Sequence, residues 1–386
     1  MLLSASTWFS GTAAITVLRS LWALDAAHAA WLTSAVQLGF VVGTFLYAAF
    51  NVSDVFNPRA VFLVSSLCGA GFNAGFAWGS DELSSALVLR FLTGLSLAGV
   101  YPVAMKIVAS WFRTGLGWRL GVMVGALGLG TASPYLIQAL GHGLPWRTLA
   151  GAASVSALLG GLLMWLGVHD GPFLPARARF EPRVALRLFA RPGYRYTALA
   201  YFGHMWELYA LWSLVSFYLA ARLPDDQPFV GRTIALVAFA TVAAGVVGCI
   251  GGGWISRRVG ERRVALVSLL VSGTLSLVSG FVFTLPFWPL VTCLLLWGVF
   301  VVSDSPQFSA LALRHAPKEY AGTALTLQNG IGFAVTVVSL QVIPWFAARV
   351  GWRWAFVPLA LGPVVGVLAL LRLGRLHAEE DRRTPN

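Results

Sequence analysis

The sequence predicts an all-α membrane protein with twelve transmembrane helices in two pseudo-symmetric six-helix halves. Three observations carry this: too few charges for a water-facing surface, apolar runs of spanning length, and a repeat near 204 residues. Of 386 residues, 58% are hydrophobic and only 11% charged, whereas a soluble domain carries roughly 25% charged residues. Mean hydropathy is +0.75. In lipid only helices and closed barrels satisfy their own backbone hydrogen bonds, and long continuous apolar runs, rather than short alternating ones, select helices.

With about 20 apolar residues per span, the first six helices fall near residues 2–18, 27–50, 60–79, 84–111, 120–140 and 148–168. The second six fall near 196–219, 232–254, 264–285, 287–311, 322–346 and 354–374. The first is the weakest, starting at Met1 and meeting Arg19, as though its N-terminal flank were short or truncated. Residues 169–195 form the one long polar connection. This divides the chain into an N-terminal half at 1–168, the connection, a C-terminal half at 196–375 and a tail at 376–386.

Net charge is +12, but the basic residues are scattered between apolar runs, which fits membrane topology and not a nucleic-acid surface. One side carries Arg59, Arg113, Arg119, six arginines from Arg177 to Arg195, Arg257, Arg258, Arg262, Arg263, Arg314, Lys318 and four in the tail. The other carries only Arg19, Arg147, Arg222, Arg232, Arg349 and Arg353. The positive-inside rule then places both termini and the long connection in the cytoplasm, in a multi-pass inner-membrane protein. Cys68, Cys249 and Cys293 sit inside apolar runs without ligand spacing, so no disulfide framework or metal site is implied.

Gly94 and Pro102 of the fourth span recur as Gly298 and Pro306 of the tenth, and Gly128 as Gly332, all at an offset of 204. Trp146-Arg147 recurs as Trp352-Arg353. A near-constant offset in the same helix context argues for duplicated halves. This architecture resembles the major facilitator superfamily over nearly the whole chain. That family's Gly-x-x-x-Asp-Arg-x-Gly-Arg-Arg signature appears as Phe50 to Arg59, keeping Asp54 and the final arginine. A second copy, Gly253 to Arg262, keeps both glycines and Arg258, with Glu261 beside them. Arg90 to Gly94 matches the family's Arg-x-x-x-Gly. Residues 94–112, 303–309 and 328–332 look like permeases labelled nitrate or cyanate carriers. Nitrate porters of the family use an arginine in spans two and eight; residues 27–50 and 233–254 hold none.

The resemblance implies that spans one, four, seven and ten line a central cavity, and the interior charges fall on three of these: Arg90 and Lys106, His204 and Glu207, and Asp304. Charge at bilayer depth costs at least about 2.5–3.5 kcal/mol on insertion scales, which makes each a functional candidate. His204 and Glu207, three residues apart, project from one helix face and could share a proton; a structural hydrogen-bonded pair is the alternative. Arg90 could bind an anion or cap carbonyls freed by a bend. Asp304 could serve a proton, a cation or Lys106, or close an inner gate, while Lys106 itself is expected to snorkel to the interface.

Asp54 reads as a cytoplasmic latch that pairs with Arg113 or a helix N-terminus, or as an exposed loop acid. Pro102, Pro134, Pro306 and Pro344 mark bends, with Pro102 and Pro306 as candidate gating points or equally static kinks. Tyr101, Gln138, Gln328 and Asn329, with Tyr201, Trp206, Tyr209 and Trp212, are candidates for the cargo pocket or for packing. The resemblance implies secondary active transport of a small solute by alternating access, coupled to protons, by a monomer without cofactor. An uncoupled facilitator of a small anion, a channel and a transporter-like sensor remain the alternatives; no catalytic constellation or nucleotide loop points to an enzyme.

Overall fold

The computed structural model describes residues 1–50, 52, 56–112, 116–140, 145–173, 187–223, 230–317 and 320–383. Among these the secondary structure is helical, with no strand. Among the described residues, ten segments are long and apolar enough to cross a membrane. Large apolar side chains such as Val64, Leu163, Val247, Phe281 and Leu368 are exposed, while Ser65, Ser66, Thr131, Thr241 and Ser276 are buried. This distribution is what lipid demands: apolar groups face outward, and small polar residues let helices approach and bond inside.

The expected spans two, three, five and six form Ala26–Ala49, Pro58–Gly79, Leu116–Leu140 and Trp146–Gly167. Spans eight, nine, eleven and twelve form Val230–Val259, Glu261–Val282, Ala321–Val350 and Leu361–Arg383. Spans four and ten are each broken, as Leu83–Leu97 with Tyr101–Trp111 and as Phe287–Ser303 with Ser305–His315. Pro102 and Pro306 open the second piece of each, where a missing N–H does no harm. Pro134 and Pro344 stay inside continuous helices.

Two expected spans depart from the simple picture. Residues 2–21 form three short helices, Leu2–Ala5, Ser10–Ala13 and Ile15–Leu21, not one. Ser6, Thr7 and Ser10 each turn a hydroxyl back to the carbonyl three residues earlier, competing with the helical ladder. The seventh, Pro192–Ala220, is a continuous 29-residue helix, but its polar and aromatic residues keep it out of the ten apolar helices.

Corresponding glycines make corresponding contacts. A Cβ on Gly94 would fall on the Val36 carbonyl, and one on Gly298 on that of Thr241. Gly43 likewise presses on the Leu95 carbonyl, as Gly248 does on Val299. Span two therefore packs on four as eight packs on ten, with backbones touching where no side chain fits. The halves meet along spans five and eight, and along two and eleven. Gly121 approaches the Cys249 carbonyl across the first seam; Gln341 donates to Ser34 at 2.9 Å across the second.

Candidate functional site

Four of the five interior charges, Arg90, His204, Glu207 and Asp304, are fully buried at no more than 1% exposed. Burying an ion without partners is prohibitive, so their partners say what each does. Arg90 is held mainly by the broken first segment, with Nε alone left without a partner among the described residues. Its Nη1 donates to the Thr7 carbonyl at 2.8 Å, Asn73 Oδ1 at 2.9 Å and Ser10 Oγ at 3.0 Å, and Nη2 donates to the Trp8 carbonyl. The guanidinium also lies over the Phe76 ring, 5.4 Å from its centroid. Asn73 extends the network, donating to the Ala150 carbonyl at 2.8 Å and to Ser154 Oγ at 2.9 Å. Of the two roles open to Arg90, this geometry is that of capping carbonyls exposed by a bend.

The structure separates His204 from Glu207 as partners. His204 Nδ1 lies 2.8 Å from Asp304 Oδ1, an ion pair when the imidazole is protonated. Asp304 sits at the break in span ten, just ahead of Pro306, so the backbone irregularity delivers the carboxylate to span seven. Glu207 turns instead into the packing of the C-terminal half. Its Oε2 accepts from Ser272 at 2.8 Å, and its Oε1 accepts from Ser276 at 2.8 Å and from the Trp297 indole at 2.7 Å. A carboxylate with three donors is a tie among spans seven, nine and ten.

Around His204 lies a layer of incompletely satisfied polar groups. Tyr201 donates to Asn329 Oδ1 at 2.9 Å, and its ring is 5.7 Å from the imidazole. His204 Nε2, Asn329 Nδ2, Gln307 Oε1 and both amide atoms of Gln328 have no partner among the described residues. Tyr101 is buried, with its ring 6.5 Å from Phe40. Lys106 is half-buried. Trp206 points away, donating to the Pro358 carbonyl at 3.0 Å. Asp54 and Arg113 lie outside the described residues; the second signature copy pairs Glu261 with Arg314 at 3.0 Å.

A second cluster spans the meeting of the halves. Trp8 and Phe40 from the N-terminal half meet Tyr209 and Phe333 from the C-terminal half, with Trp8 centroids 5.1 Å from Phe40, 5.6 Å from Tyr209 and 5.2 Å from Phe333. Phe40 and Phe333 are 4.3 Å apart, and Trp212 is 5.5 Å from Tyr209. Sequence reasoning found Tyr209 and Trp212 but not Trp8, Phe40, Phe333, Asn73 or the serines holding Glu207. The serines left a signal: Ser268, Ser272 and Ser276 recur every four residues, one face of span nine.

A multi-pass helical membrane protein, with buried ions and unsatisfied polar groups where two halves meet, is the class these features define. A family model, "Major Facilitator Superfamily", matches residues 1–340 and 197–386, and the chain belongs to that family. It is 28% identical over 375 residues to a probable sulfoacetate transporter, SauU, of Cupriavidus necator, covering 87% of this chain and 84% of the relative. It is 24% identical to the 4-hydroxybenzoate transporter PcaK of Pseudomonas putida (88% and 82% covered) and 26% identical to a gallate transporter of that organism (92% and 86%). The fold also matches the crystal structure of the human organic anion transporter MFSD10, with a TM-score of 0.68 over 96% of each chain at 15% identity.

Proposed function

We propose that this permease is a secondary active transporter that moves a small organic anion across the inner membrane by alternating access, coupled to a proton held between His204 and Asp304. The observation that carries this is the buried 2.8 Å His204–Asp304 contact, one atom away from a ring nitrogen with no partner. A histidine and a carboxylate in hydrogen-bond contact can hold or release one proton, and the free Nε2 would let an anionic cargo report to that pair. The relatives' carboxylate and sulfonate cargoes support an anion. Positive charge on His204 would then be shared between Asp304 and the cargo, so protonation and loading favour each other.

In this reading Arg90 and Glu207 hold the two halves in shape. The two halves rock along the seams of spans five with eight and two with eleven. Both termini lie in the cytoplasm, and the 57–59 and 257–263 turns face it.

Uptake by proteoliposomes with an imposed pH gradient tests this. Asp304→Asn is expected to abolish gradient-driven accumulation while preserving counterflow exchange of the same anion. Full accumulation in that variant would remove the pair from coupling and leave an uncoupled facilitator as the reading.

A further inference from the structure

The aromatic cluster at the meeting of the halves has a property that simple packing does not account for. Buried indole N–H groups normally find an acceptor. The buried Trp297 does, donating to Glu207 at 2.7 Å, and so does the half-buried Trp206, to the Pro358 carbonyl at 3.0 Å. Trp8 and Trp212, both within the cluster, have no acceptor for Nε1 among the described residues, though each is at most 1% exposed. Gln37 lies three residues before Phe40 and so on the same helix side. It is equally buried, and both its amide atoms are unpartnered. An unsatisfied buried donor costs about 1–3 kcal/mol. Three such donors, on Trp8, Trp212 and Gln37, belong to or neighbour one ring cluster, where an acceptor brought by a ligand would satisfy them.

We infer that Trp8, Phe40, Tyr209 and Phe333 form a box for an aromatic ring, whose carboxylate accepts from the indole N–H groups of Trp8 and Trp212 and from the Gln37 amide. This rests on the transport reading and narrows its cargo from organic anions in general to benzoate-like ones. The four rings already meet at tilted and stacked angles, 29° for Trp8 on Tyr209 and 49° for Phe40 on Phe333, so a planar guest replaces ring contacts with ring contacts. An aliphatic anion offers no π-face to this surface. Two walls come from each half, so a ring in the box touches both bodies at once. Arg90 adds a positive charge behind the box through its bond to the Trp8 carbonyl. It leaves the ligand's own contacts to neutral donors, which hold a carboxylate with charge-assisted bonds.

The test is calorimetric titration of the purified full chain in detergent with benzoate, cyclohexanecarboxylate and sulfoacetate, followed by counterflow of each in proteoliposomes. Benzoate is expected to bind about tenfold tighter than cyclohexanecarboxylate, which has the same size and charge but no π-face. Trp8→Phe and Trp212→Phe keep the walls and are each expected to weaken benzoate about tenfold by removing one donor to a charged acceptor. Equal affinity for benzoate and cyclohexanecarboxylate, or no benzoate binding, overturns the box, and that ranking needs no variant to fold. Unchanged benzoate affinity in both folded variants overturns the donor assignment. Exchange of sulfoacetate without benzoate leaves transport standing and the box fallen. Tryptophan-dependent benzoate binding without exchange of any anion does the reverse.

Discussion

Segments one and seven occupy matching places in the two halves and solve the problem of polarity in lipid in opposite ways. The first, residues 2–21, is irregular in its backbone, and Arg90 comes from span four to satisfy the Thr7 and Trp8 carbonyls. The seventh is an unbroken helix whose irregularity lies in its side chains, with His204 and Glu207 meeting partners on spans nine and ten. A buried charge therefore does not by itself mark cargo or coupling. What separates the cases is how far each is engaged: Glu207 has three donors and Arg90 four acceptors with Nε alone unpartnered, whereas His204 has Asp304 and a ring nitrogen with no partner among the described residues.

That contrast breaks most visibly at Arg90. Arg90→Ala removes the side-chain donor to the Trp8 carbonyl and leaves the Thr7 carbonyl and Asn73 Oδ1 to share the Ser10 hydroxyl, and is expected to cost about 3 kcal/mol, read as a fall in melting temperature in detergent. Arg90→Lys should recover only part of it, because an ammonium cannot reproduce the planar fork. An unchanged melting temperature in Arg90→Ala would return Arg90 to the cargo candidates. Glu207→Gln sets an amide NH2 against either the Ser272 hydroxyl or the Ser276 and Trp297 donors, and is expected to destabilise by about 1–3 kcal/mol while leaving the pH dependence of uptake as in the parent. A shifted pH profile would place Glu207 in the coupling path beside His204. Gly94→Ala and Gly298→Ala should each cost about 1–3 kcal/mol by overpacking, and by similar amounts if the halves are equivalent. Ser276→Ala, removing one of the three donors to Glu207, is the mildest, at about 1 kcal/mol in the same melting assay.

Much of the fold was legible in the sequence because lipid writes its demands in one dimension. Apolar runs located ten of the helices, and the 204-residue offset carried Gly94 onto Gly298, which prove to make equivalent backbone contacts. The first segment was less legible: its hydroxyls and Gly11 are apolar enough in sum for a span, but local hydroxyl-to-carbonyl bonds break it. At the site, the sequence named all four buried charges and missed how they pair. His204 and Glu207 are three residues apart, which on a helix of 3.6 residues per turn leaves about 60° between them. That angle suffices to send one to Asp304 and the other to Ser272, Ser276 and Trp297. Partners 65 to 100 residues away have no signature in local spacing.

Cys249 sits at the seam of spans five and eight, its carbonyl against Gly121 and its Sγ donating to the Val302 carbonyl at 3.4 Å, the acceptor that Pro306 leaves without its helical N–H. Cys68, by contrast, is exposed on span three. On the proposed alternating access the chain contains its own chemical clock: a membrane-permeant thiol reagent would reach the buried Cys249 only when the two halves part, so the rate at which Cys249 is labelled, told apart from Cys68 and Cys293 by peptide mass, reads the opening frequency without an engineered probe.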